Sequence, residues 1–126
     1  MNLLSIDDSK AVHAFIDRCL TGSTHAVTHA LSAKEGLEKL NSGSGKYDLI
    51  LLDWEMPEIN GPEALQLIRK TNIKIPVVMV TSKSDPQDIQ TMLDHGVSDY
   101  IMKPFTPGIL IEKIESVLSA FGADGN

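Results

Sequence analysis

The chain is 126 residues long, 42% hydrophobic and 22% charged, which fits one compact domain able to bury about two-thirds of its unfolded surface without a disulfide or metal staple. Eleven Lys+Arg against seventeen Asp+Glu leave a net charge of −6, which argues against a surface that tracks nucleic-acid phosphates. The single cysteine, Cys19, has no internal partner, no apolar run approaches the ~20 residues of a bilayer span, and no leader pattern is visible; a soluble, cytoplasmic protein with no membrane or nucleic-acid partner is expected.

In chain order, short apolar runs alternate with segments whose apolar residues recur at three and four, the pattern of βα units around a parallel sheet. A strand is expected over Leu3 to Ile6, and then a helix that starts at Ser9 and carries Val12, Phe15, Ile16 and Cys19 on one stripe. The second strand, Ala26 to Ala30, contains Thr28 and His29 and is therefore placed at a sheet edge. Ser32-Ala33-Lys34-Glu35 has the spacing of a capping box before Leu37 and Leu40. Within the third strand, Tyr47 to Leu52, and the fourth, Ile75 to Val80, the runs Leu49 to Leu52 and Val77 to Val80 are apolar on both faces, as central strands covered on both sides should be. Gly61-Pro62 opens the helix between them, with Ala64, Leu65 and Ile68 on its stripe. Asp85-Pro86 opens the next, with Ile89, Met92 and Leu93, and Gly96 stands where a left-handed C-terminal glycine belongs. The fifth strand is Asp99 to Met102, and Thr106-Pro107 opens a last helix with Leu110, Ile114, Val117 and Phe121. Residues 122–126 read as a frayed polar tail. The expectation is a single α/β domain over 1–126, a doubly wound (βα)5 sheet whose site lies beyond the carboxyl ends of the strands.

Those ends carry Asp7-Asp8, Asp53, Thr81 and Lys103. Clustered carboxylates repel and raise one another's pKa, so a cation is required. A hard divalent ion such as Mg²⁺ fits, because it takes one or two carboxylates and fills its remaining positions with water and phosphate oxygens. Lys103 adds a point charge and Thr81 a hydroxyl donor. Together they would hold a phosphoryl group at Asp53, the carboxylate that stands alone on the central strand.

From Leu3 to about Ala120 the chain resembles a two-component response-regulator receiver domain of the single-domain, CheY-like chemotaxis type. The resemblance rests on Asp7-Asp8, Asp53-Trp54-Glu55-Met56-Pro57, Asn60-Gly61, Thr81-Ser82, Tyr100 and Lys103-Pro104-Phe105. It implies strand order 2-1-3-4-5, Asp53 as phosphoacceptor, and Mg²⁺ held by Asp7, Asp8, Asp53 and the backbone carbonyl of Glu55. It also implies that Lys103, Thr81 and the amide of Ser82 bind phosphoryl oxygens, and that Lys103-Pro104 is cis. Thr81 and Tyr100 would form the switch. The implied donor is a histidine kinase or a phosphotransfer protein, and the target a downstream protein such as a flagellar motor switch.

Ile109-Leu110-Ile111 spans too wide an arc of the last helix for one core stripe. With Met92 and Tyr100 it outlines an output face, unless these are scattered surface isoleucines. Glu55 and Lys83 are expected to pair across the site mouth and restrict water. Asn60, where many receivers have Asp, is expected to retune a turn. His25 and His29 lie four apart on a strand, about 13 Å along it, which argues against a transition-metal site. Three other readings use the same residues: a phosphorelay intermediate, a docking module that needs no phosphorylation, and an aspartyl-phosphate hydrolase. For the hydrolase, Glu55 stands two residues after Asp53, but there is no Thr two further on and no inserted cap to enclose a substrate. A flavodoxin-like cofactor protein is disfavoured because the acidic first loop would repel phosphate.

Overall fold

The computed structural model describes residues 1–42, 47–56, 58–72 and 74–125, the side chains of 71–72 and 121–125 excepted; Pro57 and the side chain of Phe121, both singled out from the sequence, lie outside the described residues. Strands β1 (Asn2–Ile6), β2 (Ala26–Ala30), β3 (Leu49–Asp53), β4 (Val77–Thr81) and β5 (Asp99–Met102) alternate with helices α1 (Lys10–Leu20), α2 (Ala33–Asn41), α3 (Gly61–Asn72), α4 (Pro86–Asp94) and α5 (Pro107–Gly125). The sheet is parallel in the order β2-β1-β3-β4-β5.

Side-chain alternation explains the layers. Leu4, Ile6, Ile50, Leu52, Val77 and Met79 face one side and pack with Ala33 of α2, Ala64, Leu65 and Ile68 of α3 and Met92 of α4. Leu3, Leu49, Leu51, Val78, Val80 and Ile101 face the other, against Ile16, Cys19 and Leu20 of α1 and Leu110, Ile114 and Val117 of α5. Every residue of β3 and β4 is buried, which is why those two runs carry no polar alternation. β2 is at the edge, where Thr28 and His29 are tolerated.

The helix starts are set by side-chain acceptors. Ser9 accepts from the Val12 amide, Ser32 from Glu35, Asp85 from Gln87 and Thr106 from Ile109. Glu35 reaches back to the amide of Leu31 at 2.9 Å, one residue before the partner a capping box prescribes. Asn60 accepts from the Glu63 amide at 3.1 Å, so its side chain caps α3. The chain comes so close at the start of α3 that a Cβ on Gly61 would sit 2.7 Å from the Trp54 Cα.

Several boundaries differ from expectation. β3 and β4 begin two residues later than the expected strands, at the start of the apolar runs, and end on Asp53 and Thr81 themselves, so both polar side chains sit on the last strand positions. Pro76 lies just ahead of β4 and offers only its carbonyl, to the Ile50 amide. α5 runs to Gly125, where a frayed tail was expected.

Candidate functional site

Four strands bring their ends together. Asp53 is 3% exposed, and its Oδ1 accepts from Lys103 Nζ at 3.3 Å and from the Glu55 amide at 3.3 Å. Asp7 is also 3% exposed; its Oδ2 accepts from Lys103 Nζ at 3.2 Å and its Oδ1 from the Ser9 amide at 2.8 Å. Asp8 is exposed beside them. Carboxylate oxygens of Asp7, Asp8 and Asp53 lie within 4.8 Å of one another. The Lys103–Pro104 peptide is cis.

The electrostatics follow from this crowding. Burial pushes Asp53 up to about 6, Asp7 adds to the rise, and Lys103 opposes it. For Lys103 burial works downward, but the two carboxylates outweigh it and hold the ammonium above its ordinary value. One lysine thus faces two buried carboxylates with a third alongside. Three hard oxygen donors, one open to solvent, form a set consistent with a divalent metal site.

Thr81 is fully buried at the end of β4. Its hydroxyl donates to Glu55 Oε1 at 2.9 Å, and the same oxygen accepts from the Ser82 amide at 3.1 Å and the Ser82 hydroxyl at 3.0 Å. The expected Glu55–Lys83 ion pair is not among those of the described residues. Glu55 turns instead to three neutral donors, and Lys83 engages through its backbone amide, which donates to the Thr81 hydroxyl at 3.0 Å.

Tyr100 is half-buried on β5. The register pairs Met79 with Tyr100 and Thr81 with Met102, so Tyr100 and Thr81 share a sheet face. The Lys113 ammonium sits 5.1 Å over the Tyr100 ring while it bonds Asp99 at 3.0 Å. Ile109 is 47% exposed and Ile111 is half-buried against the α1/α5 side of the core. Met92 does not belong to the output face: it is fully buried under α4 against the sheet, and its neighbour Leu93 is the exposed one.

Two features escaped the sequence reading. His13 is buried in α1; its Nε2–H donates to the Asp7 carbonyl at 2.7 Å and its Nδ1 faces the Ser5 hydroxyl at 3.4 Å. The signal was its spacing from Ile16 and Leu20, three and seven residues on, which puts a polar residue on the buried stripe. Phe15 is half-buried, and its ring meets Phe105 at 5.4 Å between centroids. Together with Ala11, Val12 and Pro104 they line an open apolar groove of about 550 Å³ that reaches Lys103 and Ser82.

Residues 3–115 match the response regulator receiver domain family. The chain belongs to that family. It is similar to a chemotaxis protein CheY homolog of Campylobacter jejuni subsp. jejuni, 36% identical over 129 residues that cover 99% of this chain and 98% of that protein. It also resembles the response regulator ArlR of Staphylococcus haemolyticus, 37% identical over 93% of this chain but only 52% of that longer protein. Among solved structures, the receiver domain of the Francisella response regulator 1452 superposes with a TM-score of 0.86 at 30% identity, covering 95% of this chain and 98% of that one. The CheY-like doubly wound (βα)5 architecture is therefore both observed and shared with relatives. Among the described residues, no helix of this receiver domain is long and apolar enough to cross a membrane.

Proposed function

We propose that this receiver domain is a Mg²⁺-dependent phosphoryl switch in two-component signalling, with Asp53 as the phosphoacceptor. The observation that carries the reading is the placement of Asp53: buried at the end of a central strand, beside Asp7 and Asp8, with Lys103 Nζ 3.3 Å away. A histidine kinase or phosphotransfer protein is the donor. An Asp53 carboxylate oxygen forms the new O–P bond while the donor's N–P bond breaks, and the donor imidazole leaves with the electron pair. Lys103 stabilises charge on the phosphoryl oxygens, and the Thr81 hydroxyl and Ser82 amide bond others. Asp7, Asp8, Asp53 and the Glu55 carbonyl would hold Mg²⁺, which when bound would supply charge neutralisation for the transfer. Water reverses the modification by attack at phosphorus, releasing inorganic phosphate and the Asp53 carboxylate. The domain is on this reading a timed switch rather than a turnover enzyme.

The apolar groove between α1 and the β5–α5 loop opens beside Lys103 and gives a donor protein a surface to rest on while its phosphoimidazole reaches Asp53. The output leaves on another face. A phosphoryl group adds about −1.5 to −2 charges and draws on the Thr81 hydroxyl, Tyr100 follows on the same sheet face, and the α4–β5–α5 surface with Ile109 changes shape for a protein target. The CheY homologues favour chemotaxis, with a flagellar motor switch as the target.

Trp54 adjoins Asp53 and is the one tryptophan, which gives the test. Its fluorescence is recorded on adding Mg²⁺ and then acetyl phosphate, with intact mass measured in wild type and Asp53→Asn. A metal-dependent change with a phosphoryl mass gain in wild type only supports the reading. A folded protein with neither response is a docking module that works without phosphorylation.

A further inference from the structure

The three donors around Glu55 Oε1 include those that the phosphoryl group needs. The Thr81 hydroxyl has one proton to give and the Ser82 amide one more, and both are spent on the Glu55 carboxylate at 2.9 and 3.1 Å, with the Ser82 hydroxyl joining at 3.0 Å. A carboxylate oxygen and a phosphoryl oxygen present these donors with the same chemistry, an anionic acceptor. Resting on the assignment of Asp53 as phosphoacceptor, we propose that Glu55 is a resident competitor for the phosphoryl-oxygen site. Its side chain occupies the Thr81 and Ser82 donors in the unmodified protein and must leave before a phosphoryl group on Asp53 can use them.

Two further observations fit. Glu55 is itself exposed, so it can swing into water without disturbing the core. Thr81 is fully buried, so its hydroxyl would lack an acceptor if Glu55 left with nothing to replace it. The exchange is thus obligatory in both directions: arrival of the phosphoryl group expels Glu55, helped by like-charge repulsion, and hydrolysis lets it return. Glu55 slows phosphorylation by small donors and weakens the modified state, without taking part in bond making.

The experiment compares wild type, Glu55→Ala and Glu55→Gln, with beryllofluoride as the static probe and acetyl phosphate as the reactive one. In the protein without either probe, the Ser82 amide proton resonance shifts upfield in Glu55→Ala, because its charged acceptor is gone. Beryllofluoride binding and the rate of Asp53 mass gain then rise about tenfold, the factor that one net hydrogen bond supplies, with Glu55→Gln between. In a Thr81→Ala background the gain from Glu55→Ala shrinks, because one contested donor has been removed. Unchanged or weaker beryllofluoride binding in both Glu55 variants, while wild type still gains mass, overturns the competitor role and leaves the phosphoacceptor reading intact. An equal change in Mg²⁺ affinity, read from Trp54, also overturns it, since the effect would then run through the metal. Absence of any mass gain in wild type overturns the phosphoacceptor reading and this proposal with it.

Discussion

Replacing Asp53 by Asn should stabilise the metal-free fold at neutral pH, because the wild-type site is built against its own electrostatics. Asp53 is 3% exposed and raised from an ordinary 3.8 to about 6, by burial first and Asp7 second, with Lys103 opposing. Each pH unit of displacement corresponds to ~1.36 kcal/mol, so the ionised carboxylate costs the folded state up to about 3 kcal/mol at pH 7. Water entering the open cleft and rearrangement of Lys103 reduce what is measured, and a gain of about 1–3 kcal/mol is expected for Asp53→Asn. For a chain of this length that is roughly 4–11 °C in Tm. The pH dependence has a fixed sign. At pH 4 the carboxyl is protonated in the folded state and only about half ionised in the unfolded chain, so the two proteins should nearly match. Between pH 4 and 6 the unfolded chain releases its proton first, so wild type falls behind as pH rises, and above pH 6 the gap is constant. Urea unfolding of both proteins from pH 4 to 8 in chelator measures this. A variant no more stable than wild type at pH 7, or a gap that persists at pH 4, refutes the account of Asp53 as a buried, strained anion.

Four other substitutions test neighbouring parts of the structure. Lys103→Ala leaves Asp7 and Asp53 without their shared cation; it should cost about 1–3 kcal/mol at pH 7 in chelator, and the cost should shrink as pH falls toward 6, because without Lys103 the Asp53 carboxyl takes up its proton at higher pH than in wild type, read by the same urea series. Gly61→Ala pushes a methyl against the Trp54 backbone 2.7 Å away and should cost about 1–3 kcal/mol and shift Trp54 emission. Met92→Ala should cost about 2–5 kcal/mol, whereas Ile109→Ser, at a side chain 47% exposed, should change thermal stability little; equal effects would restore Met92 to the surface.

The sequence showed most where physical constraints left one solution. Leu49 to Leu52 and Val77 to Val80 are apolar without alternation because both faces of the central strands are covered, and the first polar residues after them, Asp53 and Thr81, mark the end at which a doubly wound sheet places its site. Met92 was misplaced because Ile89, Met92 and Leu93 all lie on one helical stripe, and periodicity does not say how far α4 rotates about its axis; packing on Met79 and Val97 turned Met92 inward and Leu93 outward. His13 was passed over because a polar residue on a buried stripe is acceptable only with partners, and its partners, Ser5 and the Asp7 carbonyl, come from β1 and the loop after it. Glu55 was paired with Lys83 because the two opposite charges stand two residues after Asp53 and two after Thr81, at the mouth of the expected site. Three converging neutral donors, two of them part of Ser82, offered its carboxylate a geometry that spacing in the chain does not reveal.

On the proposed function, Lys103 and Glu55 together explain how a phosphoryl-binding site is stable before it is modified. Asp7 and Asp53 need a cation, and Lys103 reaches both at 3.2 and 3.3 Å. The buried Thr81 hydroxyl needs an acceptor, and Glu55 supplies it. The unmodified site is therefore largely satisfied, at the cost of a strained Asp53, and on the proposed function phosphorylation exchanges partners instead of creating them from nothing. An exchange of this kind has a small net free energy even when each contact is strong, because the donors are never left empty in a buried place. Such a balance suits a switch that must be reversed, and it makes the two stand-in residues, more than the phosphoacceptor, the positions at which the lifetime of either state is adjusted.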